Sequence, residues 1–167
     1  MKQNLNPLIK SNLYKYKSDF LKEREKKEND DNIEDEIDTY EIFDLIRTII
    51  DPEHPYNLEE LNIISLDDII VDNTNRIITV YFSPTVENCG FASLIGLSIK
   101  KKLLNFISPK YSIDVLIREP KNESDKNLNK QINDKERLEA SNLNKNIADF
   151  CATATINTEE YLEFLKN

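Results

Sequence analysis

Apolar positions recur along this chain with two different periods, and the changes between them mark out the elements. From Thr39, "TYEIFDLIRTII" sets Ile42, Leu45, Ile46 and Ile49 on one helical stripe. Asp51 and Pro52 stop that helix, because a residue preceding proline is held away from the helical region. "DPEHPYNLEELNII" then places two prolines and an asparagine in a short space, which predicts a rigid turn leading into extended chain. Period-two alternation predicts three strands, at about Asn62 to Val71, Arg76 to Phe82 and Tyr111 to Arg118. In the last of these, Tyr111, Ile113, Val115 and Ile117 share one face and Ser112, Asp114, Leu116 and Arg118 the other, so one side is half exposed. The turn-forming "DNTN", Asp72 to Asn75, joins the first two strands as an antiparallel hairpin.

Between the second and third strands a helix carries Phe91, Ile95, Ile99 and Leu103 at steps of four. Leu94, Leu97, Leu104 and Phe106 flank them, giving a broad apolar face suited to a sheet. Gly96 in mid-helix costs about 1 kcal/mol relative to alanine, and close packing against a strand or another chain would explain its presence. After Pro120, "LNKQINDKERLEASNLNKNIADF" reads as a helical segment with Leu128, Ile132 and Leu138 inward and a charged opposite face. "NTEEYLEFLKN" reads as a short final helix capped by Asn157 or Thr158. The sum is an α+β domain over residues 37–167, a small mixed sheet of about three to four strands packed on helices, with a C-terminal helical tail. Residues 1–36 precede it as a disordered or solvated leader, since "KEREKKENDDNIEDEID" has almost nothing to bury.

A chain of 167 residues is the size of one domain and can bury a core without staples. Its formal net charge of -9 argues against a direct nucleic-acid partner, because that affinity rests on neutralising phosphates. Lys100, Lys101 and Lys102 form only a small local basic patch. No apolar run approaches the roughly 18 residues of a membrane span, and no apolar signal segment is present, so the reading is a soluble cytosolic or nuclear chain with reduced cysteines.

Candidate chemistry centres on Cys89. It falls in the first turn of the central helix, where free N–H groups and the positive end of the helix dipole favour the thiolate. Gly90 beside it permits close approach or a backbone conformation closed to side chains. A buried, inert thiol is the other reading of the same position. Cys151 reads as packing, and His54, the sole histidine, as a turn residue that hydrogen-bonds locally. With three Cys and His residues in all, none close to another, no self-contained zinc site can be assembled. No Ser–His–Asp arrangement and no phosphate loop is available either.

Three blocks in order, "IRTIIDPEHPYNLEELNI", "FSPTVENCGFASLIGLSIKKKLL" and "NKQINDKERL", resemble the cytosolic iron-sulfur cluster assembly component two family, also called the MIP-eighteen family. The resemblance covers roughly Ile42 to Leu143. It implies a small α+β protein that acts without enzymatic turnover, as an adaptor in the complex that delivers iron-sulfur clusters to cytosolic and nuclear apoproteins. It implies a WD-repeat propeller protein and a HEAT-repeat adaptor as partners, iron-sulfur apoproteins as clients, a transient cluster with no tightly bound cofactor, and a homodimer as a further possibility. Cys89 aligns with the family's reactive cysteine in its Pro-Thr-x-x-x-Cys segment, here Pro84, Thr85 and Cys89, with Gly90 next to it and Asp125 aligning with a family acidic residue. The chain departs from the family pattern at Asn88, where His is frequent, and at "KNESD", Lys121 to Asp125, which replaces a His-containing segment. Both changes remove imidazoles that would serve as metal ligands. The competing reading is a thiol enzyme or redox switch centred on Cys89, with Cys151 as the resolving thiol.

Overall fold

The computed structural model describes residues 36–84 and 89–143. The first helix, α1, spans Thr39–Arg47. Asp38 caps it, its Oδ1 accepting from Glu41 N at 2.8 Å, while Glu41 in the first turn and Arg47 in the last complement the helix dipole. Ile42, Ile46 and Ile49 are fully buried, as the stripe predicts. The helix ends before Asp51 is reached, and the following turn is fixed by side chains. Asp51 is buried and its Oδ1 accepts from Glu53 N and His54 N, both at 2.8 Å. Buried Arg47, at the end of α1, pairs with Asp44 within the helix at 2.7 Å and ties the following turn to it through Glu59 at 3.2 Å. Burial raises the Glu59 pKa, and the Arg47 charge and hydrogen bond oppose that rise.

The sheet has three strands in the order β1 (Ile69–Asp72), β2 (Ile77–Phe82) and β3 (Ser112–Ile117). β1 and β2 form the expected antiparallel hairpin, with Ile69 opposite Val80. Asp72 closes its turn by accepting from Asn75 N and Nδ2 at 2.9 and 2.8 Å, which lowers the Asp72 pKa. β3 lies parallel to β2, with Phe82 opposite Ile117. The first strand is much shorter than its apolar run predicts. Ile63 and Ile64 are buried to 1% exposure, yet Asn62 takes a left-handed φ of 54°. Asp68 Oδ2 accepts from Ser65 N and Ser65 Oγ at 2.8 and 2.7 Å, winding Leu66–Asp68 into a single 3-10 turn before β1 begins. Burial there came from the core and not from strand pairing.

The helix α2 (Cys89–Phe106) connects β2 to β3 and lies between α1 and α3 (Glu123–Asn133). Gly96 lies where α2 meets both α3 and β2. A Cβ there would fall 2.4 Å from Ile132 Cδ1 and 3.3 Å from Phe82 Cζ, so the close packing expected of this glycine is found. Two expectations for α2 fail. Lys100, Lys101 and Lys102 are not a surface patch: they are 9%, 9% and 2% exposed. A lysine can bury its aliphatic stem while its amine keeps polar partners. Lys100 Nζ donates to Ile113 O and, at 3.0 Å, to Asn133 Oδ1; Lys102 Nζ donates to Thr48 Oγ1 at 3.4 Å. Burial lowers both pKa values, that of Lys102 to about 8. Conversely Leu104 and Phe106 are both 44% exposed, because the covered part of the helix ends at Leu103 and Ile107 takes the next buried position.

The segment after Pro120 is two helices. Asn122 starts α3 earlier than the apolar spacing suggests, and Asp134 ends it with ψ near 122°. Asp134 Oδ1 then accepts from Glu136 N at 2.8 Å and opens α4 (Lys135–Leu143). Leu128 and Ile132 are buried as expected, and Leu138 is half-buried. The leader up to residue 35, Cys151 and the predicted final helix lie outside the described residues.

Candidate functional site

Parallel strands joined by a helix finish at the same edge of a sheet, and the helices that follow them start there. β2 and β3 end at Phe82 and Ile117, side by side, with Arg118 N donating to Phe82 O at 2.8 Å. The α3 register shows that it runs back along β3. Asn129 Oδ1 accepts from Ile117 N at 2.7 Å, and one turn on Asn133 Oδ1 accepts from Val115 N at 3.0 Å while its Nδ2 donates to Val115 O at 2.8 Å. α2 runs back likewise, placing Gly96 near Phe82 and Lys100 near Ile113. The starts of α2 and α3 therefore share the edge beyond the carboxyl ends of the parallel strands, the side on which open α/β sheets commonly place their sites.

Four of the residues singled out from sequence, Pro84, Cys89, Gly90 and Asp125, lie at this edge. Pro84 is half-buried two residues beyond β2, Cys89 opens α2, and Gly90 follows it, exposed. Gly90 is helical and not left-handed, so the special backbone conformation considered for it is not used. Thr85 and Asn88 lie outside the described residues. Asp125 stands in the first turn of α3, and its carboxylate has a local duty: Oδ2 accepts from Lys121 N at 2.9 Å, while its own N–H donates to Asn122 Oδ1 at 2.9 Å. It fastens the helix start that Asn122 caps. His54 belongs to the turn after α1. Its backbone hydrogen-bonds locally, accepting from Tyr56 N at 2.8 Å as expected of a turn residue, while its Nε2 is buried without a hydrogen-bond partner.

Sequence reasoning missed the tie that holds this edge together. Arg118 pairs with the buried carboxylate of Asp68, which also holds Ser65, and Ser83 N donates to Ile63 O at 2.8 Å. Segments before β1, after β2 and after β3 are thus joined at one end. The spacing of Ser65 and Asp68 signals such a turn in sequence, whereas the pairing of Asp68 with Arg118 spans the fold and leaves no local trace. Next to Arg118, Glu119 adopts φ 51° directly before Pro120, a conformation disfavoured for a side-chain-bearing residue in that position. Among the described residues no group of three or more His, Cys, Asp or Glu side chains is placed to hold a metal ion.

No family model matches the chain. Individual relatives do. It is 46% identical over 107 residues to cytosolic iron-sulfur assembly component 2B of Dictyostelium discoideum, covering 64% of this chain and 66% of that protein. It is 41% identical over 149 residues to the MIP18 family protein galla-2 of Drosophila melanogaster, covering 88% of this chain and 90% of that protein. It is 42% identical over 139 residues to cytosolic iron-sulfur assembly component 2B of Mus musculus, covering 83% and 82%.

Proposed function

The chain belongs to the MIP18 family of cytosolic iron-sulfur assembly components, and from that membership we propose that it is a non-enzymatic adaptor that helps deliver iron-sulfur clusters to apoproteins in the cytosol. The cluster is cargo. It passes through a targeting complex, and this chain holds no tightly bound cofactor of its own. Similarity extending over most of the chain is the observation that carries this reading. At a finer level, a WD-repeat propeller protein and a HEAT-repeat adaptor are its partners in that complex.

Cys89 is the functional thiol, and Pro84, Thr85, Gly90 and Asp125 are the residues that meet a partner or the passing cluster. Its position as the first residue of α2, at the edge where two helices start, supports this, since free N–H groups at a helix start favour a thiolate. Because the Asp125 carboxylate already accepts the Lys121 N–H, its role is to shape the edge rather than to serve as a free ligand.

Anaerobic affinity purification of the tagged chain tests both levels, with iron quantified and co-purifying proteins identified for wild type and Cys89→Ala. The expected result is recovery of a WD-repeat protein, a HEAT-repeat protein and iron-sulfur apoproteins by both forms, with the clients carrying less iron in the variant. Recovery of no such proteins by wild type overturns the adaptor reading. Equal client loading by both forms overturns the role of Cys89.

A further inference from the structure

Burial alternates along β2 and β3, Ile78, Val80, Phe82, Ile113, Val115 and Ile117 going to the core, and in β1 Ile69 is buried while Ile70 is exposed. The strand register fixes what the other face shows. Tyr81 stands beside Leu116; Ile70, Thr79 and Asp114 form the next row; Asp72, Ile77 and Ser112 form the last. Directly paired side chains lie about 5 Å apart and diagonal neighbours about 7 Å. Leu116, Tyr81, Ile70 and Ile77 therefore form one continuous apolar path across all three strands. Ile70 is 55% and Ile77 39% exposed, while Tyr81 and Leu116 are half-buried.

A parallel strand pair is ordinarily covered on both faces. Among the described residues, β2 and β3 have their helical cover on the core side, and their other face presents aliphatic and aromatic groups. The opposite edge shows that this fold does protect backbone where it must, since Asn129 and Asn133 occupy the free N–H and C=O groups of β3. The surroundings of the apolar path decide the occupant. Residues 66–82 and 112–118 carry four carboxylates, Asp67, Asp68, Asp72 and Asp114, against two guanidinium groups, Arg76 and Arg118. Asp68 and Arg118 neutralise each other, and Asp114 feels the Lys100 ammonium. What remains is acidic, on a chain of net charge -9. A second copy would bring like charge against like, which is unfavourable.

We infer that this face docks a different protein, one that offers an apolar surface bordered by Lys or Arg, and that it is the face by which the chain joins its assembly complex. The inference rests on the adaptor reading above. The full chain, tagged and expressed in its own cells as wild type, Ile70→Lys, Ile70→Asp and Ile77→Lys, is purified and the recovered assembly subunits are quantified. Fold is checked by urea midpoint, and oligomeric state by sedimentation of the purified chain. The lysine variants are expected to recover at least tenfold less of the complex than wild type. Ile70→Asp is expected to lose less than Ile70→Lys, because a basic partner tolerates the carboxylate. Unchanged recovery by both lysine variants overturns this inference and leaves the adaptor reading intact. So does a greater loss for Ile70→Asp than for Ile70→Lys, or a wild-type dimer that the lysine variants dissociate, which would make a second copy the occupant. Failure of wild type to recover any assembly subunit removes the adaptor reading and this inference with it.

Discussion

Gly96 offers the sharpest test of the packing, because two effects of similar size oppose each other there. Alanine in place of a mid-helix glycine gains about 1 kcal/mol of helix stability. Against that, its methyl would lie 2.4 Å from Ile132 Cδ1, 3.0 Å from Ile132 Cγ1 and 3.3 Å from Phe82 Cζ, where carbon atoms prefer about 3.5–4.0 Å. Ile132 and Phe82 are both fully buried, so neither can swing into solvent. Overfilling a packed core costs about 1–3 kcal/mol, so Gly96→Ala should lower stability by about 1 kcal/mol net despite the better helix residue.

The clash also names its own relief. Ile132→Val removes the Cδ1 methyl that the alanine side chain would meet, and alone it should cost about 0.5–1.5 kcal/mol. In the double variant the alanine methyl occupies the vacated space, so the pair should be more stable than the sum of the single changes by about 1–2 kcal/mol. Urea unfolding of all four proteins, with the slope checked for constancy, measures this. Additivity within about 0.3 kcal/mol, or a Gly96→Ala variant that gains its full helix-propensity benefit, would refute the claim that α2 and α3 touch at this glycine.

Lys102 should show the pH dependence of a buried amine. Its folded pKa is about 8 against an ordinary value of 10.5, so the cost of burying its charge is fully present below about pH 8 and is relieved as pH rises toward 10.5. Lys102→Met should therefore stabilise at pH 7, by up to about 3 kcal/mol, and the gap to wild type in urea titrations should narrow by pH 9.5; a constant gap would show that the amine is not desolvated. Arg76 closes the β1–β2 hairpin with φ 56°, and Arg76→Gly should raise the urea midpoint by an amount equivalent to about 0.5–1 kcal/mol; a lower midpoint would mean that the Arg76 side chain makes a contact worth more than the strain. Asn133→Leu should cost about 2–4 kcal/mol, because Val115 N, Val115 O and the Lys100 amine all lose a partner, and hydrogen exchange at Val115 should accelerate while that at Ile78 changes less.

How far the sequence carried these elements depends on which forces are local. The Ile42, Ile46 and Ile49 stripe, the Asp72 to Asn75 hairpin and the alternation in β3 were legible because each follows from period and turn chemistry over a few residues. The start of α3 at Glu123 was misjudged from apolar spacing, although Asn122 is a good cap, because its first turn is entirely polar. Ile63 and Ile64 carried a strand's composition but are buried outside any ladder, which composition cannot distinguish. At the candidate site, Cys89 at a helix start was legible; the pairing of Arg118 with Asp68, fifty positions away, was not.

The three lysines of α2 show why the limit lies where it does. On a helix laid over a sheet, one stripe faces inward and the rest faces water, so Lys100 to Lys102 were expected outside. With α1 on one flank and α3 on the other, the buried arc extends around most of the helix, and a lysine on its margin must either be excluded or find an acceptor. Here the acceptors come from three different elements: Ile113 O in β3, Asn133 in α3 and Thr48 after α1. The amines of Lys100 and Lys102 thus reach across the layers, and each takes an oxygen whose position is set only when all the layers are assembled. The same lateral cover leaves Leu104 and Phe106 exposed one turn later, where the flanking helices no longer enclose the chain. Periodicity identifies which face of a helix is apolar, but the number of neighbours decides how much of the rest is also buried. That number is a property of the whole fold, so a sequence window that finds the core stripe correctly can still assign its charged margin to solvent.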